Sequence, residues 1–143
     1  MKKILYLSSS ILPSIYANSV HTIKMCEYLS KNGNCVTLIS KYNKKTKNDI
    51  FQIYNVKYPF NIIQLRNYYL GKVGFFLNFI FLIYKLLKNK NDIVCGRNIY
   101  FIFLFILFKN KIILELHLPF HKQNFFEKKI INLIIKNSQF SKL

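Results

Sequence analysis

The sequence predicts an α/β fold, a Rossmann-like parallel sheet with flanking helices, and three observations carry that prediction. Ile4–Leu7 and Val36–Ile39 are short, nearly continuous apolar runs, as expected of strands buried on both faces of a parallel sheet. Between them lies a segment whose apolar residues recur at helical spacing. Short apolar runs and helical patterns then keep alternating to the end of the chain, with no internal repeat. At 143 residues the chain reads as one domain, 1–143, large enough to bury a core without disulfides.

Taken in order, the first strand gives way at Ser8–Ser14 to small polar residues and Pro13. Asn18 is placed to cap the first helix, where Thr22, Ile23, Cys26 and Leu29 share one arc with Met25 at its edge, opposite His21, Lys24 and Lys31. Glu27 and Lys31 have the order of an i,i+4 ion pair, and Gly33 stands where a helix end calls for positive φ. Connections this short close as a right-handed crossover onto a parallel second strand at Val36–Ile39. Lys41–Asp49 is a solvated loop, Ile50–Val56 reads as a third strand, and Tyr58-Pro59-Phe60 stops it. Ile62, Ile63 and Leu65 supply a further extended piece.

Tyr69–Leu87 reads as an apolar helix closed by Lys85, Lys88 and Lys90. A spanning helix needs roughly twenty uninterrupted apolar residues. Lys72, Gly74, Asn78 and Lys85 cut this run, so a core or membrane-facing helix is expected. Asn91–Arg97 is the fourth strand, and Ile99–Phe108 is a buried helix by its place in the alternation. Lys111–His117 is the fifth strand, Phe125–Lys136 a helix with Phe126, Ile130, Leu133 and Ile134 at helical spacing, and Asn137–Leu143 opens another strand.

Twenty-two Lys and Arg residues against five Asp and Glu give a formal charge of +17. Such a charge draws a protein toward anionic partners. Lys, Asn, Ile and Phe are abundant together and the lysines are spread, so AT-rich codon bias accounts for the charge equally well. Cys26, Cys35 and Cys95 lack C-x-x-C spacing and lie in apolar surroundings, as reduced core cysteines of a cytoplasmic protein do. Lys2, Lys3 and the run to Leu12 imitate a signal peptide, with Ala17 as a mimic of its cleavage site. Three serines interrupt the run, and its removal would delete the first strand, so the segment is read as part of the fold.

In an open parallel sheet, ligands bind at the carboxyl ends of the strands. The polar residues there are Ser8, Ser9, Ser10 and Asn18 after the first strand, Arg97 and Asn98 after the fourth, and Glu115, His117 and His121 after the fifth. Arg97 is suited to clamp a carboxylate or phosphate, or to be a rim residue paired with Glu115; both readings stay open. Glu115 and His117 alternate with Leu114 and Leu116 and point to one side of a strand. His21 lies near a helix N-terminus that faces the same edge, and His121 lies in a loop.

The segment SVHTIKMCEYLSKNGNCVTLIS, after a strand and a Ser-rich loop, is similar to the opening of the retaining, nucleotide-sugar-dependent glycosyltransferases of GT4 type. Asp92–Arg97, as D-I-V-x-x-R, and the E-L-H of Glu115–His117 resemble the same family's acceptor-side strand and cleft edge. The chain departs from the family at Ile15–Asn18, where many members have Gly-Gly. The resemblance implies the N-terminal, acceptor-side half of a two-domain GT-B fold. It implies sugar transfer from a nucleotide sugar to a glycan or lipid-linked acceptor in surface-polysaccharide synthesis, with no metal or cofactor. His117 is then the expected catalytic residue, and Ser10, Asn18, His21, Arg97, Glu115 and His121 bind substrate. Some members seat on the anionic inner-membrane surface. The donor half of such enzymes, with its E-x₇-E signature, is not in this chain, which therefore reads as a fragment or a split frame, inactive alone and needing a separate C-terminal half.

No G-x-G-x-x-G, Walker loop, H-E-x-x-H or G-x-S-x-G occurs, so dinucleotide binding, NTPase, zinc hydrolase and α/β-hydrolase chemistry are unsupported. No motif organises the basic residues into a nucleic-acid face. The rival class is a non-enzymatic basic domain that binds an anionic membrane or a protein partner.

Overall fold

A computed structural model describes residues 1–43, 49–66, 70–88, 92–106, 111–116 and 122–137. Among these described residues ten elements follow in order: β1 Lys3–Leu12, α1 Ala17–Lys31, β2 Cys35–Tyr42, α2 Ile50–Ile53, β3 Asn61–Leu65, α3 Gly71–Lys88, β4 Ile93–Gly96, α4 Ile99–Ile106, β5 Lys111–Leu114 and α5 Phe125–Asn137. The strands form a five-stranded, all-parallel sheet in the order β3-β2-β1-β4-β5. The fold is thus α/β and Rossmann-like, as the alternation predicts. The chain winds outward from β1 to β3, then returns to the other side of β1 for β4 and β5. The direction of winding therefore reverses between β1 and β4.

The period of two along each strand divides the core between the two faces of the sheet. On one face Ile4, Tyr6, Val36, Leu38 and Cys95 meet Ile23 and Cys26 of α1, with Tyr54 and Phe60. On the other, Leu5, Leu7, Ile39, Leu65 and Val94 meet Leu82 of α3, Phe101 and Ile102 of α4, and Ile134 of α5. The predicted arc of α1 is the buried one: Thr22, Ile23 and Cys26 are buried, and His21, Lys24 and Lys31 are exposed.

Four local expectations are corrected. β1 does not stop at the serines but runs to Leu12, because Leu7 lies opposite Ile39 while Ile11 lies opposite Lys41. The strand bulges over Ser8–Ser10 and then resumes pairing. Ile50–Val56 is not a strand: Ile50–Ile53 is a short helix, started by Asp49, whose carboxylate accepts from Phe51 N at 2.9 Å. The third strand is Asn61–Leu65. The N-cap of α1 is Tyr16, with no side-chain cap, so Asn18 sits inside the helix. Glu27 pairs with Lys24 at 2.8 Å and accepts from Lys57 N at 2.6 Å, which hold its carboxyl below the ordinary value, while Lys31 lies over the Tyr58 ring. Gly33 has the expected positive φ, 75°.

α3 covers the sheet with a row of Gly74, Asn78 and Leu82, yet its outer side carries Val73, Phe76, Leu77, Ile80 and Tyr84 exposed. Among the described residues no helix is long and apolar enough to cross a membrane.

Candidate functional site

β4 ends in Gly96, and that residue decides how the carboxyl edge is assembled. Its φ is 138°, and a Cβ built there would stand 2.1 Å from the carbonyl oxygen of Leu7. Only glycine lets β4 approach β1 so closely. The next residue is fastened by Arg97 N, which donates to Leu7 O at 3.0 Å, while Glu115 N donates to Gly96 O at 2.9 Å. Arg97 and Glu115 are thus brought side by side, each as the first residue beyond its strand.

Arg97 turns toward α1. One terminal nitrogen, Nη1, donates to Asn18 Oδ1, and the other, Nη2, donates to Glu115 Oε1 and lies 2.7 Å from His21 Nδ1. The Arg97 side chain keeps only 6% of its surface exposed, against 45% for His21 and 37% for Glu115. Its Nε is buried with no hydrogen-bond partner among the described residues. A guanidinium only donates, so the imidazole nitrogen is the acceptor in this contact, and the other ring nitrogen, Nε2, lies 3.4 Å from the same Nη2. That nitrogen stands 4.0 Å from Glu115 Oε1, across a gap open to solvent.

Tyr6 completes the arrangement from beneath, its hydroxyl donating to Glu115 Oε2 at 2.9 Å. The hydrogen bond from Arg97 holds the Glu115 carboxyl below its ordinary value, against the opposing effect of burial and with help from Tyr6. The Arg97 guanidinium is pushed up in return, first by its bond to Glu115. Tyr6 is pushed up, chiefly by burial and then by its bond to the carboxylate. Burial also pushes the Cys95 thiol up to about 12, in keeping with its place in the core.

The loop from β1 into α1 is held from three sides. Tyr54 Oη donates to Ser14 O at 2.6 Å and accepts from Ser14 N at 2.7 Å, and Asn43 Nδ2 donates to Pro13 O at 2.7 Å. Gln64 Nε2 donates to Leu12 O at 2.8 Å. These bonds fix where α1 begins, and with it the positions of Asn18 and His21.

On the other face of the sheet a cavity of about 500 Å³ opens at the same edge, lined by Ser9 of β1, Lys41 of β2, Asn78 of α3, Arg97 and Asn98 after β4, and Glu127 of α5 among others. Asn98 Oδ1 caps α4 by accepting from Phe101 N at 3.2 Å. Asn124 and Glu127 cap α5 reciprocally, Glu127 N donating to Asn124 Oδ1 at 2.8 Å and Asn124 N to Glu127 Oε2 at 3.2 Å.

Of the residues predicted from sequence, Asn18, His21, Arg97 and Glu115 come together. Ser10 does not join them: it is buried under α1, where Ser8 Oγ donates to its Oγ at 2.9 Å and Thr22 Oγ1 lies 3.4 Å away. Its neighbour Ser9 faces the cavity instead. His117 and His121 lie outside the described residues. Tyr6, Lys41 and Asn78 were not singled out. Tyr6 carried no signal in an apolar run, whereas Asn78 was legible as the lone amide of a greasy helix. Among the described residues no three His, Cys, Asp or Glu side chains converge as metal ligands.

Comparison of the chain with protein-family models, with curated proteins and with solved structures finds no match.

Proposed function

We propose that the chain is the acceptor-binding domain of a nucleotide-sugar-dependent glycosyltransferase, the reading that its resemblance to the GT4-type enzymes suggests. One observation supports it above the others: the exposed 4.0 Å gap between His21 Nε2 and Glu115 Oε1 at the point where the winding of the sheet reverses. A ligand hydroxyl in that gap accepts from the imidazole N–H and donates to the carboxylate, so its oxygen is oriented by two charge-assisted or polar contacts at once. Arg97, buried and held by three partners, is a positioning residue that fixes both walls of the gap. The donor nucleotide sugar and the residues that hold its diphosphate belong to a second domain in this reading. His117 remains in it as the expected catalytic histidine. Transfer from a nucleotide sugar to a glycan or lipid-linked acceptor, measured with a donor-binding domain supplied alongside the chain, tests the proposal. Transfer that depends on both components supports it. Robust transfer by the chain without a donor-binding domain, or none with any acceptor once the domain is present, contradicts it.

A second reading rests on α3. Val73, Phe76, Leu77, Ile80 and Tyr84 form an exposed apolar row on a chain of charge +17, the combination with which a protein lies on an anionic lipid surface. The two readings are compatible, since a lipid-linked acceptor is itself presented at such a surface.

A further inference from the structure

Tyr6 stands in the middle of the central strand, 2% exposed, within the apolar cluster that β1 shares with Ile23 and Cys26 of α1. A phenylalanine there would bury the same ring without taking a hydroxyl out of water, which is unfavourable unless that hydroxyl is bonded. The Tyr6 hydroxyl donates at 2.9 Å to Glu115 Oε2, 109 positions further along the chain. A polar atom has thus been carried through the core to reach one carboxylate of the site.

That carboxylate needs holding. Glu115 lies one residue beyond β5, with 37% of its side chain exposed. Arg97 donates to Oε1, and one such contact leaves a carboxylate able to swing about the bonded oxygen. Tyr6 takes the other oxygen, and two points of attachment fix the plane of the group. Oε1 then stands toward His21 Nε2 across the gap. Both walls are fastened to adjacent residues of β1: the Leu7 carbonyl accepts from Arg97 N, and the Tyr6 side chain holds Glu115. Tyr6 lies opposite Leu38 of β2 and Cys95 of β4, so the anchor stands on a strand paired on both sides.

We infer that Tyr6 is a positioning residue of the His21–Glu115 gap: its hydroxyl fixes the plane of the Glu115 carboxylate, so that Oε1 is presented to a ligand hydroxyl opposite His21. The inference rests on the acceptor-binding reading of that gap for its effect on transfer, while the orientation itself is measurable without a substrate. The test compares the full chain as wild type and as Tyr6→Phe, with the Glu115 side chain read by carbon NMR. The coupling between Cα and Cδ of Glu115 should report one rotamer in the wild type and an average of rotamers in Tyr6→Phe. The carboxyl should titrate closer to its ordinary value in the variant, since the bond from Tyr6 helps to lower it. A tyrosine that serves only the core would lower the thermal midpoint when changed and move neither reading. An unchanged coupling or an unchanged titration therefore overturns the inference. So does an averaged coupling in the wild type itself, a result that decides the matter even if Tyr6→Phe fails to fold. With a donor-binding domain supplied, kcat for transfer should fall about fivefold in Tyr6→Phe at unchanged KM for the donor, the scale of one hydrogen bond. The same change should add nothing to a chain that already carries Glu115→Ala, and an equal loss in that background overturns the inference. A carboxylate that loosens in Tyr6→Phe, in a chain that shows no transfer, defeats the transferase reading and leaves the positioning of Glu115 standing.

Discussion

Arg97 and Glu115 are neighbours because Gly96 and Leu114 are paired in the β4–β5 register, so the residue after each strand finds the other. The guanidinium is nearly buried and the carboxylate is not. That asymmetry sets the first prediction. Glu115→Ala leaves a buried cation without its anion and should cost on the order of 2 kcal/mol, below the range for a fully buried pair because Glu115 retains solvent. The double variant Arg97→Met with Glu115→Leu should cost less than the two single changes summed, as in a coupled pair. Urea unfolding of the four chains gives the coupling; additive losses would show that the pair contributes nothing of its own.

The pH dependence follows from the same carboxylate. Its folded value lies below the ordinary 4.5, so its contribution to stability is fully present above about pH 4.5 and is lost as the pH falls through the lowered value. Wild type should therefore lose stability more steeply than Glu115→Gln, whose amide does not titrate, as the pH falls below about 4.5. Parallel curves for the two chains would remove the linkage from Glu115.

Gly96 and Gly33 make a controlled comparison. Both have positive φ, but a Cβ at Gly33 meets nothing within 4 Å, while one at Gly96 meets backbone. Gly33→Ala should cost about 1 kcal/mol for the backbone conformation alone. Gly96→Ala must also push β1 and β4 apart, and should cost more than about 3 kcal/mol or prevent folding. Equal losses at the two positions would mean that the close approach of β4 to Leu7 is not a constraint.

Much of this architecture could be read in the sequence, and the exceptions have physical causes. Apolar runs and helical periodicity located the first two strands, the long helices and the fourth strand, since burial imposes those patterns directly. Ser8 and Ser10 hid the second half of β1, because their hydroxyls satisfy each other and Thr22 and so need no water. Ile50–Ile53 resembles a strand in composition, and only the cap from Asp49 marks it as a helix. At the site, the carboxyl-end rule found Arg97, Glu115, Asn18 and His21. Which of them touch depended on strand register, and periodicity does not carry register.

The outer row of α3 predicts behaviour at a lipid surface. The purified chain should sediment with vesicles containing anionic lipid and be released by salt, because charge drives the approach and the apolar row is shallow. Phe76→Ser with Ile80→Ser should reduce that association and change folding stability by no more than about 0.5 kcal/mol each, as both side chains are exposed. Binding that ignores the substitutions would place the contact elsewhere, and binding that resists high salt would remove charge as its cause.

The central claim is that His21 and Glu115 orient an acceptor hydroxyl in the gap that Arg97 holds open. The direct measurement is the rate of nucleotide-sugar-dependent transfer by the chain with a donor-binding domain, for wild type and for His21→Ala. The exposed imidazole can be removed with little loss of stability, so the thermal midpoint should hardly move. The transfer rate at saturating donor should fall about tenfold or more, the scale of one lost positioning contact. An unchanged rate in a chain of unchanged stability would contradict the claim.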